Sequence, residues 1–413
     1  MNDQQRTDTK QIGRNFTFTG TISNEMIKKT GLLILLISLC TCSAWAQEDI
    51  KIIHGPYLQN MGQDEVTIVW VTNKNAVSWV EIAPDDQTHF YLTERPKVFA
   101  SKNGIKQESR VHSVKLTGLK PGTKYRYRSF SQEVLWRESY RVFYGKVAST
   151  TAYRTGPLSF TTNDYAKNDI SFTMINDIHG RSDMMRKLLE IAEPNKNDLV
   201  FFNGDMVSTM NNENELFEGF MDTGVEMFAK EIPMYYCRGN HETRGPFATE
   251  FQTYFSTLSP ELYYLVRHGP VCFVVLDCGE DKPDTDIEYS GITVYDQYRS
   301  QEAIWLKEAL QQKEFKEASF KVVICHMPPF GGWHGEQEIL EKFVPLLNEA
   351  GVDIMLSGHL HRHTKQGPDA RIKFPVLASG NEAVVKGKIT KNELNLDIIG
   401  LDGKQVDHIH ITK

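Results

Sequence analysis

Apolar positions along this chain follow two rhythms. Between residues 50 and 163 they come in short β-rich runs, 66–71 and 77–82 among them, broken by turn signals about every ten residues. That spacing predicts an all-β sandwich over residues 47–164. After a polar link at 162–169 the rhythm becomes an alternation. Compact apolar runs at 170–175, 199–202, 234–237, 271–276, 322–325 and 354–356 predict strands, and amphipathic stretches at 182–192, 301–310 and 337–348 predict helices between several of them. Residues 165–413 therefore read as an α/β domain with strands enough for two packed sheets, and in such folds ligands gather at the carboxyl ends of the strands. The tail 383–411 returns to strand-like alternation and is expected to close the second sheet.

One apolar run fits neither rhythm. Lys28 and Lys29 precede the stretch 32–39, and Ala44-Trp45-Ala46 supplies the small-x-small pattern of a signal peptidase site. The run is too short for the roughly 20 apolar residues that span a bilayer. Residues 1–46 are thus expected to be a leader and signal peptide, with Gln47 as the mature start and an exported product, periplasmic or extracellular. Met26 stands where the initiator of such a peptide belongs, which puts translation of residues 1–25 in question.

Charge narrows the partners. The net charge is −7, and −9 once the five Lys/Arg and three Asp/Glu of residues 1–46 are removed. Duplex nucleic acids and anionic membranes are bound through clustered Lys and Arg, which this chain lacks. Neither is expected as a partner, nor is a stable membrane span. Cys237, Cys272, Cys278 and Cys325 remain after processing. Their spacing matches neither a disulfide framework nor a cysteine-based zinc site, and three of them sit in apolar strand runs as small hydrophobes.

The chemistry stands at the ends of the α/β strands. Asp177-Ile178-His179, Gly204-Asp205, Gly239-Asn240-His241-Glu242, His326 and Gly358-His359-Leu360-His361 each follow an apolar run at once. A lone histidine is usually structural; five such elements in order point to a metal site. Imidazole and carboxylate donors without thiolate suit Mn, Zn or Fe, and two divalent ions close together need a shared carboxylate, for which Asp205 is the natural candidate. Asn240 adds an uncharged oxygen. Two divalent ions, two aspartates and one bridging hydroxide leave about one positive charge, enough to attract a phosphate dianion.

Two resemblances follow from these residues. The stretch from His112 through Leu119-Lys120-Pro121-Gly122 to Tyr125 and Tyr127 is similar to the tyrosine corner of fibronectin type III domains. The strand-end pattern resembles the calcineurin-like metallophosphoesterase superfamily. With Gly55-Pro56-Tyr57-Leu58-Gln59-Asn60 ahead of 66–71, the mature chain resembles bacterial proteins that pair a purple acid phosphatase N-terminal domain with that catalytic domain. The resemblance implies a four-layer α/β/β/α fold over 165–413 behind a fibronectin type III-like sandwich over 47–164. It implies Asp177, His179 and His361 on a first metal, Asn240, His326 and His359 on a second, and Asp205 across both. Two positions depart from the purple enzymes: Ser208 stands where they carry the colour-giving Tyr, and His179 where they carry Gly. A divalent pair is favoured over a ferric one.

The expected activity is hydrolysis of small phosphate monoesters, a metal-bridging hydroxide attacking phosphorus. The same resemblance places His241 over the phosphate as acid or charge stabiliser; its plainer role is an imidazole that only supports the ligands. His334, in the glycine-rich loop 328–336, and Arg244 are candidate substrate contacts, although Arg244 also reads as a surface arginine. Two alternatives stand beside this: a phosphodiesterase acting on nucleotides or lipid head groups, and an inert surface binding protein.

Overall fold

The computed structural model describes residues 48–153 and 156–413. The expected signal peptide falls outside them. Among the described residues no helix is long and apolar enough to cross a membrane.

The two β-rich runs at 66–71 and 77–82 prove to be halves of one strand, Glu65–Pro84. Its first half pairs with Ile52–Gln59 and Glu108–Thr117, and after an irregularity between Val71 and Ala76 its second half pairs with Lys124–Glu138. Seven of the nine strands described in this all-β part share one hydrogen-bonded sheet, because the long strand passes from one set of partners to the other, and Ser101–Lys102 pairs separately with Ile105–Lys106. Tyr125 is buried, and its phenol oxygen accepts the backbone N–H of Lys120 at 2.9 Å, the return bond that the Leu-x-Pro turn predicts. Residues 50–413 form one compact unit. Tyr57 donates to the carbonyl of Tyr254 at 2.9 Å and Tyr127 to that of Lys230 at 2.7 Å, so phenols of the first part satisfy carbonyls of the second.

Two six-stranded sheets make up the rest. One runs in the order Met234–Cys237, Leu199–Asn203, Asp169–Ile175, Ala383–Thr390, Glu393–Gly400, Gln405–Thr412; the other runs Tyr264–His268, Val271–Leu276, Phe320–Cys325, Ile354–Ser357, Val376–Ala378, Thr364–Gln366. Burial on both faces explains why the inner strands are apolar at nearly every position. Leu199 and Phe201 face the core between the sheets while Val200 and Phe202 face the helical layer outside. Val271, Phe273 and Val275 likewise point inward and Cys272, Val274 and Leu276 outward. Phe172 meets Phe273 edge-on at 5.3 Å, joining the two sheets. Helices outside each sheet complete the four layers.

Three expectations need correction. The tail closes the first sheet: Ala383–Thr390 pairs antiparallel with Asp169–Ile175, the strand that leads to Asp177. The helix expected at 301–310 begins at Tyr295, since both Tyr295 and Asp296 donate backbone N–H groups to Asp284, at 2.7 and 3.1 Å. A cap eleven residues upstream leaves no local signal. The helix expected at 337–348 divides into His334–Lys342 and Val344–Ala350 around Phe343, with Pro345 in the first turn of the second. The four cysteines among the described residues are buried free thiols.

Candidate metal centre

All five strand-end elements converge where the carboxyl ends of the two sheets meet. The first sheet delivers Asp177, His179, Asp205, Asn240 and His241; the second delivers His326, His359 and His361. Donor atoms of Asp177, His179, Asp205 and His361 lie within 4.8 Å of one another, and so do those of Asp205, His326 and His359. Asp205 belongs to both groups.

The backbone is bent to achieve this. Asp177, His179, Asp205, His359 and His361 all have φ between 50° and 68°, a left-handed region that non-glycine residues occupy at a cost and that recurs at functional sites. Two glycines allow the close approach. A Cβ on Gly239 would lie 2.3 Å from Asp205 Oδ1, and one on Gly358 2.6 Å from Asp177 Oδ2.

The distances are those of a donor shell. His326 Nε2 lies 3.0 Å from Asp205 Oδ2 and His361 Nε2 3.2 Å from Asp177 Oδ1. His179 and His361 face each other Nε2 to Nε2 at 3.1 Å. Buried Asp177 Oδ1 and His326 Nε2 make no hydrogen bond, their neighbours lying close but off the bonding direction. The side-chain amide of Asn240 lies beside them, 3.1 Å from His359 Nδ1 and 3.3 Å from Asp205 Oδ2. Buried carboxylate and imidazole atoms without partners are what a cation would satisfy, so this donor set fits metal ions.

Outer contacts fix the donors. His326 Nδ1–H donates to the carbonyl of Asn203 at 2.7 Å, which leaves Nε2 as the nitrogen a metal would take once it loses its proton. Glu242 accepts the backbone N–H groups of Asp205, Met206 and Gly239 at 2.9, 2.7 and 2.9 Å and the Tyr236 hydroxyl at 2.8 Å. It therefore braces two of the ligand loops. Glu336 is buried with Oε1 3.9 Å from His359 Nε2, and burial pushes its carboxyl up to about 7. Both glutamates lie in motifs visible in the sequence, but the bonds from Glu242 to its distant partners are not visible there.

Electrostatics divides the histidines. Burial lowers His179 and His359 to about 4, so both are neutral with a lone pair available. Burial also opposes charge on His326, but Asp205 and Asp177 overcome it and hold the imidazolium to about 10. Asp205 is held below the usual carboxylate range: burial works against its charge, and His326 outweighs burial. The Asp177 carboxylate, 3.2 Å from its Nε2, raises His361.

His241 lies beside this cluster. Its backbone N–H donates to Asp205 Oδ1 at 2.9 Å, its Nδ1–H to the carbonyl of Ser208 at 2.7 Å, and its ring packs edge-on against His179 at 4.7 Å. Arg244 Nη1 lies 3.4 Å from His241 Nε2, while the rest of that guanidinium holds Glu280 through Nε and Nη2 at 3.0 and 2.9 Å. Arg244 is thus part of the site's wall with its charge already offset. His334 is not brought to the cluster: its Nε2 bonds Asp296 at 2.7 Å. Arg299 and Lys342 share the acids there, so that second knot of Asp296, His334 and Glu338 is an ion-pair network.

Comparison with known proteins agrees with this geometry. Residues 170–363 match the family described as calcineurin-like phosphoesterase, and residues 54–143 match the purple acid phosphatase N-terminal domain. Purple acid phosphatase 18 of Arabidopsis thaliana is 22% identical over 337 residues, 78% of this chain and 68% of that protein. Probable purple acid phosphatase 20 of the same plant is 24% identical, over 81% of this chain and 75% of its own length. The solved purple acid phosphatase from yellow lupin (Lupinus luteus) seeds superposes with a TM-score of 0.64 at 16% identity, covering 86% of this chain and 74% of that one, which shows a shared fold. The chain thus joins a purple acid phosphatase N-terminal domain to a calcineurin-like phosphoesterase domain and is a metal-dependent phosphoesterase of the kind that works with a dinuclear metal centre.

Proposed function

We propose that this protein is an exported phosphatase that hydrolyses phosphate monoesters at a pair of divalent Mn, Zn or Fe ions. The observation that carries this reading is the pair of donor groups that share Asp205. Asp177, His179 and His361 would hold one ion, Asn240, His326 and His359 the other, with Asp205 between them. Such a pair, when bound, supplies Lewis-acid charge at the phosphoryl oxygens and a nucleophile available at neutral pH.

The chain's own residues do the rest. Asp205, fixed by the Glu242 brace, sets the spacing of the two positions. His241, its Nδ1–H committed to Ser208, presents Nε2 to the substrate and can hand a proton to the leaving oxygen. Arg244, fastened by Glu280, keeps a donor beside that nitrogen. Residues 47–164 are taken as a fibronectin type III-like module, supported by the Tyr125 bond. The leader's apolar run and Ala44-Trp45-Ala46 support export.

Titrating purified protein with manganese or zinc while following nitrophenyl phosphate hydrolysis tests the reading. Activity should rise with metal to a plateau and vanish on chelation. Bis-nitrophenyl phosphate run in parallel should be the poorer substrate; a preference for it would make the enzyme a diesterase. Metal-loaded protein that hydrolyses neither would be the inert binding protein.

Metal loading should also release protons. His326 keeps its proton below about 10, and a metal needs the lone pair that proton occupies. Near pH 7.5, uptake should therefore expel at least about one proton per site pair, and affinity should climb as pH rises toward that value. Calorimetry in two buffers of different ionisation enthalpy reads this directly; equal heats in both would exclude His326 as a protonated ligand.

A further inference from the structure

An open cleft of about 600 Å³ begins at His179 and extends between Ser208 and the helical segment that starts at Glu213. That volume is within the usual range for small-molecule sites. The cleft starts at the reacting end of the site. His179 is one of its lining residues, and Ser208, another, accepts the proton of His241 Nδ1 through its carbonyl.

Its walls are of one character. Ser208, Asn214 and Glu218 offer a hydroxyl, an amide and a carboxylate, Thr209, Asn212 and Glu215 add polar groups that also bond within the loop, and no lysine, arginine, phenylalanine, tyrosine or tryptophan lines it. A second phosphate would meet carboxylates and no cation. A nucleobase would find no ring to stack on beyond that of His179, itself a candidate metal ligand, and an acyl chain would find Val207 as the one apolar side chain of the lining. Hydroxyl groups would find donors and acceptors together, since each hydroxyl both donates and accepts.

We propose that this cleft receives the alcohol part of the substrate and selects a neutral polyhydroxylated one, making the preferred substrates sugar or polyol monophosphates. The inference rests on the phosphatase reading above and names its substrate class. On cleavage the P–O ester bond breaks, water supplies the new oxygen on phosphorus, and the polyol leaves with its own oxygen and one proton.

The experiment compares kcat/KM of the metal-loaded full chain for a hexose monophosphate, glycerol phosphate, a nucleoside monophosphate, a hexose bisphosphate and phosphocholine, each referred to nitrophenyl phosphate. Hexose monophosphate should exceed the nucleotide and the bisphosphate by about tenfold or more, the scale of discrimination by a few side-chain contacts. Glu218→Lys should raise the bisphosphate relative to the monophosphate by about tenfold, and Asn214→Ala should lower hexose monophosphate relative to nitrophenyl phosphate by a similar factor. Both positions are exposed, so the variants should fold. Preference for the nucleotide or phosphocholine, or ratios within about twofold in both variants, would overturn the proposal. Failure to hydrolyse nitrophenyl phosphate at all would instead overturn the phosphatase reading beneath it.

Discussion

Asp205→Ala should empty both metal positions and lower turnover of nitrophenyl phosphate by about 10³-fold or more, the loss of several kcal/mol of charge stabilisation at phosphorus. The size of the effect comes from the sharing. Without Asp205 the second group keeps only uncharged donors, Asn240, His326 and His359, and the first keeps a single carboxylate, Asp177. His326, no longer held charged by a carboxylate 3.0 Å away, gives up its proton but gains no negative partner to attract a dication. The substitution also strips the acceptor from the His241 backbone N–H, a bond worth about 1–3 kcal/mol when left unmade in a buried place. Melting temperature must therefore be read beside metal content. Asp177→Ala is the comparison: it should weaken one position and spare the other. An Asp205→Ala protein with both metals bound, by elemental analysis, would remove Asp205 from the bridge.

Much of this centre is legible in the sequence because each donor comes directly after an apolar strand. Parallel strands bring their carboxyl ends to one edge, so ligands far apart in sequence become neighbours without any local signal of their own. What escaped were bonds between distant segments. The Glu242 carboxylate is visible next to His241, but its backbone partners span Asp205 to Gly239. Asp284 starts a helix eleven residues away. The tail reads as strands, yet which sheet it joins depends on the free edge of Asp169–Ile175. Residues 213–229 continue as helix through two π turns, whose wider period blurs the amphipathic pattern. His334 drew notice for standing in a glycine-rich loop. Its real environment was set by Asp296 on a neighbouring helix.

His241→Ala should keep both metals and lose about 10²- to 10⁴-fold in turnover on an alkyl phosphate, the usual scale for general acid catalysis. Metal content should hold because the bond to Asp205 Oδ1 comes from the backbone N–H, and alanine keeps that N–H. The imidazole is placed to donate when both nitrogens carry protons: Ser208 takes the one on Nδ1, and the one on Nε2 is left to pass to the leaving oxygen. An alkoxide is a poor leaving group and needs that proton at the moment the bond breaks. A nitrophenolate does not, so its loss should be smaller by about tenfold or more. Arg244 offers the contrast. Its guanidinium stands beside the same nitrogen but is not deprotonated in proteins, so Arg244→Ala should weaken both esters alike. If His241→Ala too cost both substrates the same factor, the ring would be a charge stabiliser like Arg244, and the proton for the leaving group would have to come from water.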